Sequence, residues 1–155
     1  MVAAIPGARL VVAGGGDGLA RFRDIVAGST ARDSIEVLGF VPEADVPARW
    51  ARADIYVQPS WKEGFGLTYI EAMRHGLPVG ASVNDAGREV NADGGSGINV
   101  DLNVKDELAE RLADLLRVPA RMAELGRGAA ERWHGNFRFG QFADRFLRAL
   151  DAPDP

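Results

Sequence analysis

Two carboxylates stand eight positions apart in the segment Glu63–Glu71, which reads Glu-Gly-Phe-Gly-Leu-Thr-Tyr-Ile-Glu. The preceding run, Asp54–Gln58, has the apolar, β-branched and aromatic content of a buried strand. Thr68 and Glu71 have the Thr-x-x-Glu spacing of a capping box, which predicts a helix that begins at Thr68. Glu63 is therefore expected in a loop at the end of a strand, and Glu71 in the helix that follows.

This junction between loop and helix suits an anion that also carries hydroxyl groups. The first backbone N–H groups of a helix have no partner within the helix, and the positive end of the helix dipole favours negative charge. Gly64 and Gly66 would let a ligand approach the backbone closely. Carboxylates beside such a site accept hydrogen bonds from hydroxyls. A nucleotide sugar offers both a diphosphate and hydroxyl groups, so the segment favours a nucleotide-sugar site.

A purely structural interpretation of the two acids stands beside this one. Glu71 would then be only the capping-box partner of Thr68, and Glu63 only a solvated loop acid. An isolated pair of glutamates at this spacing is too short a motif to decide between the two interpretations.

The wider pattern resembles the donor-binding half of glycosyltransferase family 4, a large family of retaining enzymes. That family has the GT-B architecture, in which two Rossmann-like domains face each other across a cleft. The resemblance extends from about Pro6 to Phe146. It is carried by Pro59-Ser60, Glu63-Gly-Phe-Gly-Leu67, Glu71-Ala-Met73 and Gly76-x-Pro-Val79.

The resemblance implies roles for individual residues. Glu71 would accept hydrogen bonds from the ribose hydroxyls, and Glu63 would contact the donor sugar as the catalytic candidate. Backbone N–H groups from Phe65 to Leu67 would bind sugar and phosphate oxygens. Near the nucleobase, main-chain groups of Phe40 and Val41 would read its edge, unless their loop is a plain turn from strand to helix. The substrate-binding set is Phe40, Val41, Glu63, Gly64, Phe65, Gly66, Leu67, Thr68 and Glu71. Asn84 and Asp85 stand where family members often have a glycine-rich turn, and their role stays open.

Strand and helix patterns alternate along the chain, which predicts an α/β fold with a Rossmann-like, doubly wound parallel sheet. We expect one domain over residues 1–150, truncated at its N-terminus, and a disordered tail over 151–155. Strands are predicted at Arg9–Ala13, Ser34–Leu38, Asp54–Gln58, Pro78–Ser82 and Gly97–Val100. Helices are predicted at Leu19–Ala27 and Ala44–Arg52, from Thr68, and in three stretches that begin at Lys105, Ala120 and Arg138.

The family has elements that this sequence lacks before its first strand. They are a strand that ends in Gly-Arg, a downstream Lys-Gly and the N-terminal acceptor domain. We therefore expect either a rearranged sheet or an open gap, and a chain that is inactive alone. The acceptor domain would have to be supplied in cis or in trans. We also expect self-association, because unpaired strand edges and the aromatic segment Phe137–Phe146 would meet water.

Composition narrows the classes of partner, cofactor and cellular location that fit the chain. The chain has 155 residues with 46% hydrophobic content, enough for one domain with a core. Its net charge of −4 argues against a nucleic-acid partner, and the absence of cysteine argues against disulfides. No Asp-x-Asp occurs and only His75 and His134 are present, so we expect neither a metal site nor a cofactor. Without a spanning segment or a leader, we expect a cytoplasmic protein, peripheral to the inner membrane at most through the missing domain.

The sequence thus favours the donor-binding half of a retaining glycosyltransferase. The reaction would move a hexosyl group from a nucleoside-diphosphate sugar to a saccharide or lipid-linked acceptor. An alternative is a non-catalytic nucleotide-sugar-binding subunit that pairs with a separate acceptor domain. A folded remnant without a ligand is the third interpretation.

Overall fold

The computed structural model describes residues 5–151 and shows an α/β fold in which every strand pair is parallel. The predicted parallel α/β class is confirmed. The tail that was predicted over 151–155 lies, apart from Asp151, outside the described residues. In chain order the elements are β1 (Leu10–Ala13), α1 (Leu19–Ala27), β2 (Ile35–Gly39), α2 (Val46–Trp50), β3 (Tyr56–Val57), α3 (Leu67–Arg74), β4 (Val79–Ser82), α4 (Gly87–Val90), β5 (Gly97–Val100), α5 (Glu107–Leu116), α6 (Pro119–Asn136) and α7 (Phe139–Leu150).

The strands form two sheets instead of one. β1 pairs with β2, and β3, β4 and β5 form a separate sheet in that order. This separation corresponds to the open gap, one of the two outcomes expected from the sequence. β3 is shorter than the predicted Asp54–Gln58. The N–H groups of Tyr56 and Gln58 donate to the carbonyls of Pro78 and Gly80. Pro59, which has no N–H group, then ends the strand.

The core lies around the three-stranded sheet and the helices α3, α5 and α6. All four residues of β4 are buried, as expected for the central strand of a parallel sheet. Tyr69 and Met73 on α3 pack against β4, and Leu125 of α6 packs against β5 and α5. This core supports the carboxyl ends of β3 and β4. The loop that carries Glu63 follows the carboxyl end of β3.

The two-stranded sheet is exposed by comparison. Before Tyr69, the only buried residues in the described part of the chain are Gly39 and Gly66. Leu10 and Val11 of β1 are 41% and 48% exposed, although parallel strands are normally covered on both faces. α7 also presents an apolar stripe to solvent, formed by Phe139, Phe142, Phe146, Leu147 and Leu150.

None of the helices within residues 5–151 has both the length and the apolar character that crossing a membrane requires.

Candidate functional site

The site begins at a left-handed glycine that turns the loop into α3. Gly66 has φ 84° and ψ 56°, and α3 begins at the next residue, Leu67. A Cβ atom at Gly66 would lie 2.3 Å from Cδ2 of Tyr69, whose side chain is fully buried. Both the backbone conformation and the close contact therefore require glycine at this position.

The predicted capping box is wrong. α3 has no side-chain cap, and Thr68 lies inside its first turn instead of before it. The left-handed turn at Gly66 starts the helix one residue earlier than the Thr-x-x-Glu pattern indicated. The Thr68 hydroxyl instead donates to Oε1 of Gln58 at 2.7 Å. Glu71 is thus not a capping partner. Within residues 5–151 its carboxylate has no hydrogen bond or ion pair, so no structural role accounts for it.

The Glu63 carboxylate is held in place by the loop itself. Oε1 accepts hydrogen bonds from the backbone N–H groups of Gly66 at 3.0 Å and Phe65 at 3.4 Å. Oε2 accepts from Nε2 of Gln58 at 2.5 Å. The interpretation of Glu63 as a merely solvated acid does not fit these contacts. The N–H groups of Phe65 and Gly66, which were expected to bind sugar and phosphate oxygens, donate to Glu63 in this structure, and their contact with a ligand stays a prediction.

Two backbone donors at the start of α3 remain open. Among the described residues, the N–H groups of Leu67 and Thr68 donate no hydrogen bond. These groups stand at the positive end of the α3 dipole, beside the loop that carries Glu63. An anion placed there would accept two backbone hydrogen bonds. The exposed side chains of Phe65 and Leu67 adjoin this position.

Gln58 and Tyr56 belong to the site although the sequence did not single them out. Oε1 of Gln58 accepts from the hydroxyls of Tyr56 and Thr68. Burial raises the pKa of Tyr56, and the negative charges of Glu63 and Glu71 add to the increase. Both carboxylates therefore act on one tyrosine hydroxyl. In the sequence, the only sign of this cluster is the amide side chain of Gln58 at the end of a predicted strand. The contacts of Gln58 depend on the folded structure and cannot be seen in the sequence.

The loop after β4 supports Glu63 from the other side. Oδ2 of Asp85 accepts from the backbone N–H of Glu63 at 3.4 Å, and the Glu63 carbonyl accepts from the N–H of Ala86 at 3.3 Å. Asn84 donates to Asp101 at 3.2 Å and accepts from the N–H of Leu102. The question that the sequence left open is thereby answered in part: Asn84 joins the loops after β4 and β5, and Asp85 braces the loop of Glu63.

Glu71 lies on the wall of an aromatic cleft between α3 and the turn from α6 to α7. The cleft has a volume of about 490 Å³ and is lined by Ile70, Glu71, Arg74, Trp133, Phe137, Arg138, Phe139 and Gly140. The guanidinium of Arg74 lies over the Trp133 ring, 5.8 Å from its centre. A larger groove of about 710 Å³ lies between α6 and the amino ends of β3 and β4, where Asp54 and Pro78 contribute to its lining. It is at the opposite end of the strands from Glu63.

Phe40 and Val41 follow β2 and so belong to the two-stranded sheet. Phe40 is 81% exposed. Among the described residues, no hydrogen bond connects these two positions with the loop that carries Glu63. Their proposed contact with a nucleobase therefore stays a prediction. Within residues 5–151, no group of three or more metal-ligating side chains is found.

Known proteins match the chain over most of its length. A family model described as "Glycosyl transferases group 1" matches residues 2–132. The chain is 30% identical, over 159 aligned residues, to the GDP-mannose-dependent alpha-(1-6)-phosphatidylinositol monomannoside mannosyltransferase of Mycobacterium tuberculosis. This match covers 96% of the chain and 41% of that enzyme.

Solved structures agree in fold. Sucrose-phosphate synthase of Thermosynechococcus elongatus superposes with a TM-score of 0.82 at 26% identity, over 98% of this chain and 42% of that one. HepE of Anabaena, solved in complex with UDP-glucose, superposes with a TM-score of 0.82 at 20% identity, over 95% of this chain and 42% of that one. The chain thus spans less than half the length of each of these proteins. These structures have the GT-B architecture, and the chain belongs to the group 1 glycosyltransferases, where it corresponds to the C-terminal part.

Proposed function

We propose that this chain is the donor-binding half of a retaining glycosyltransferase. The donor is a nucleoside-diphosphate sugar, and the group transferred is a hexosyl unit that passes to a saccharide or lipid-linked acceptor. One observation carries the proposal: the N–H groups of Leu67 and Thr68 at the start of α3 have no hydrogen-bond partner in the described residues, and Glu63 and Glu71 flank these two residues in the sequence. Family membership and the UDP-glucose bound by HepE support the same ligand class.

In this proposal each group has a separate task. The N–H groups of Leu67 and Thr68 bind diphosphate oxygens, and the dipole of α3 adds favourable charge without a metal ion. Glu71, which is exposed and has no protein partner in the described residues, accepts hydrogen bonds from the ribose hydroxyls. Glu63, which the loop orients, accepts from the hexose and is the catalytic candidate. Phe40 and Val41 contact the nucleobase.

Transfer also requires an acceptor held against the sugar. Proximity and orientation can lower such a barrier by about 7 to 11 kcal/mol, and the described residues show no second domain that would provide them. We propose that an acceptor domain completes the enzyme, in the same polypeptide or in another. A non-catalytic nucleotide-sugar-binding subunit is the second candidate, and the exposed face of β1 and the apolar stripe of α7 favour it because both would suit a partner polypeptide.

Isothermal titration calorimetry tests the proposal. The chain is titrated with UDP, GDP and ADP and with UDP-glucose and GDP-mannose, each with magnesium and again with a chelator. We expect weak binding that is the same in both conditions. Binding that disappears on chelation would contradict the metal-free proposal.

Two variants separate the roles of the acids. Glu71→Gln should weaken nucleotide and nucleotide sugar alike by about 10- to 100-fold, the loss of a hydrogen bond to a charged group. Glu63→Ala should weaken only the nucleotide sugar. Glu110→Gln, an exposed change on α5, is the matched control and should alter neither affinity. An unchanged nucleotide affinity in Glu71→Gln would disprove the ribose role.

A further inference from the structure

We propose that Gln58 is a positioning residue that fixes the orientation of the Glu63 carboxylate toward the donor sugar. The inference rests on the proposed function, because it needs Glu63 to contact the hexose. It adds a residue that lies outside the glutamate motif and that no spacing rule identified.

The hydrogen bonds allow only one orientation of the Gln58 amide. Nε2 lies 2.5 Å from Oε2 of Glu63, and a carboxylate can only accept, so the NH₂ group must face it. Oε1 then points at the hydroxyls of Tyr56 and Thr68, and both can donate to it. The two hydroxyls and the carboxylate thus hold the amide from opposite sides.

Gln58 is itself well anchored. Its N–H donates to the carbonyl of Gly80 at 3.0 Å, and its carbonyl accepts from the hydroxyl of the buried Tyr69 at 2.6 Å. The side chain therefore extends from a fixed point at the end of β3. A fixed donor at this point restrains Oε2 of Glu63, while the N–H groups of Gly66 and Phe65 restrain Oε1.

Glu63 keeps spare capacity for a ligand despite these contacts. A carboxylate has about four acceptor positions on its two oxygens. Gln58 uses one position on Oε2, which leaves the other for a sugar hydroxyl, and the loop amides use Oε1. Without Gln58, rotation of the carboxylate would no longer cost a hydrogen bond at Oε2. A carboxylate that must first lose rotational freedom binds a sugar hydroxyl more weakly than one that is already held in place.

The test compares affinity for a nucleotide sugar with affinity for its nucleotide, using UDP-glucose with UDP and GDP-mannose with GDP. Gln58→Met keeps the length of the side chain and removes its hydrogen bonds. It should lower the ratio of the two affinities by about tenfold or more and leave nucleotide affinity unchanged. Gln141→Met on α7 is the matched control and should alter neither quantity. Urea unfolding of each variant shows whether the fold is retained.

A second variant gives a readout that a merely structural role would not produce. Gln58→Glu places a second carboxylate against Glu63, so one of the two should hold a proton at a raised pKa. The protonated form can donate a hydrogen bond again. The affinity ratio of this variant should therefore be low at pH 8 and recover as the pH falls, whereas the ratio of Gln58→Met should not recover. The other ionisable groups around this point are Tyr56 on β3, Tyr69 and Glu71 on α3 and Asp85 in the loop after β4.

The outcomes distinguish this inference from the proposed function. If wild type prefers the nucleotide sugar and Glu63→Ala loses that preference, the donor site stands. An unchanged ratio in Gln58→Met, or a Gln58→Glu ratio that does not change with pH, would then overturn the role of Gln58 alone. If wild type binds none of the nucleotides or nucleotide sugars, the proposed function is wrong and the role of Gln58 is overturned with it.

Discussion

The left-handed turn at Gly66 determines where α3 begins, and Gly66→Ala perturbs it directly. An alanine at this position would have to adopt a left-handed backbone conformation, which costs about 1 to 2 kcal/mol. Its Cβ would also lie 2.3 Å from Cδ2 and 2.8 Å from Cε2 of Tyr69. Tyr69 is fully buried and cannot move away freely, so relief of this contact should cost about 1 to 3 kcal/mol more. The free energy of unfolding should fall by about 2 to 5 kcal/mol in total.

Two other glycines separate these contributions in the same urea-unfolding assay. Gly76 has φ 70° and its Cβ would have only one neighbour, at 3.8 Å, so Gly76→Ala should lose only the backbone contribution of about 1 to 2 kcal/mol. Gly64 has no left-handed φ and nothing within 4 Å of a Cβ, so Gly64→Ala should stay within about 0.5 kcal/mol of wild type. If Gly66→Ala unfolded like Gly64→Ala, the described turn and its contact with Tyr69 would be wrong.

Two further predictions concern pH and association. Burial, with the charge of Asp85 next, raises the pKa of Tyr69, so the native state keeps a proton that the unfolded state loses near pH 10. The contribution of Tyr69 to stability should therefore be constant below about pH 9 and fall as the pH rises past about 10. Urea titrations should show a shallower fall in Tyr69→Phe over this alkaline range, and an equal fall would contradict the assignment. Because Leu10 and Val11 of β1 are exposed, analytical ultracentrifugation should show dimers or larger species as concentration rises, and Val11→Lys should shift them toward monomer. A wild-type monomer at every concentration would refute this.

Much of the fold was predictable because it depends on local patterns. α1 and β5 have the predicted bounds, since an amphipathic run and a short β-branched run between turn residues identify them without tertiary information. α4 was not predicted, because four residues are too few to show a helical period. The start of α3 was misplaced because Thr68 and Glu71 match a capping box locally, whereas the backbone of Gly66 determines the start.

The sequence predicted the two acids of the candidate site but not the residues that hold Glu63 in place. The glutamate spacing identified Glu63 and Glu71, and the structure places them on the loop and on α3 as expected. Gln58 and Asp85 contact Glu63 from 5 and 22 positions away. The contact with Asp85 exists because the carboxyl ends of the neighbouring parallel strands β3 and β4 meet at one edge of the sheet, and the contact with Gln58 depends on how the loop after β3 folds back. The occupation of the Phe65 and Gly66 amides by Glu63 likewise depends on a side-chain conformation that spacing does not specify.

The most direct test of the donor site is an NMR titration of the ¹⁵N-labelled chain with UDP, GDP and ADP in turn. A diphosphate at the start of α3 would accept hydrogen bonds from the backbone N–H groups of Leu67 and Thr68. We predict that these two amides show the largest and saturable shift changes with at least one of the three nucleotides. If all three leave both amides unchanged, or if the changes concentrate instead at Gly126 and Ala130 in the groove beside α6, the site is not where we place it.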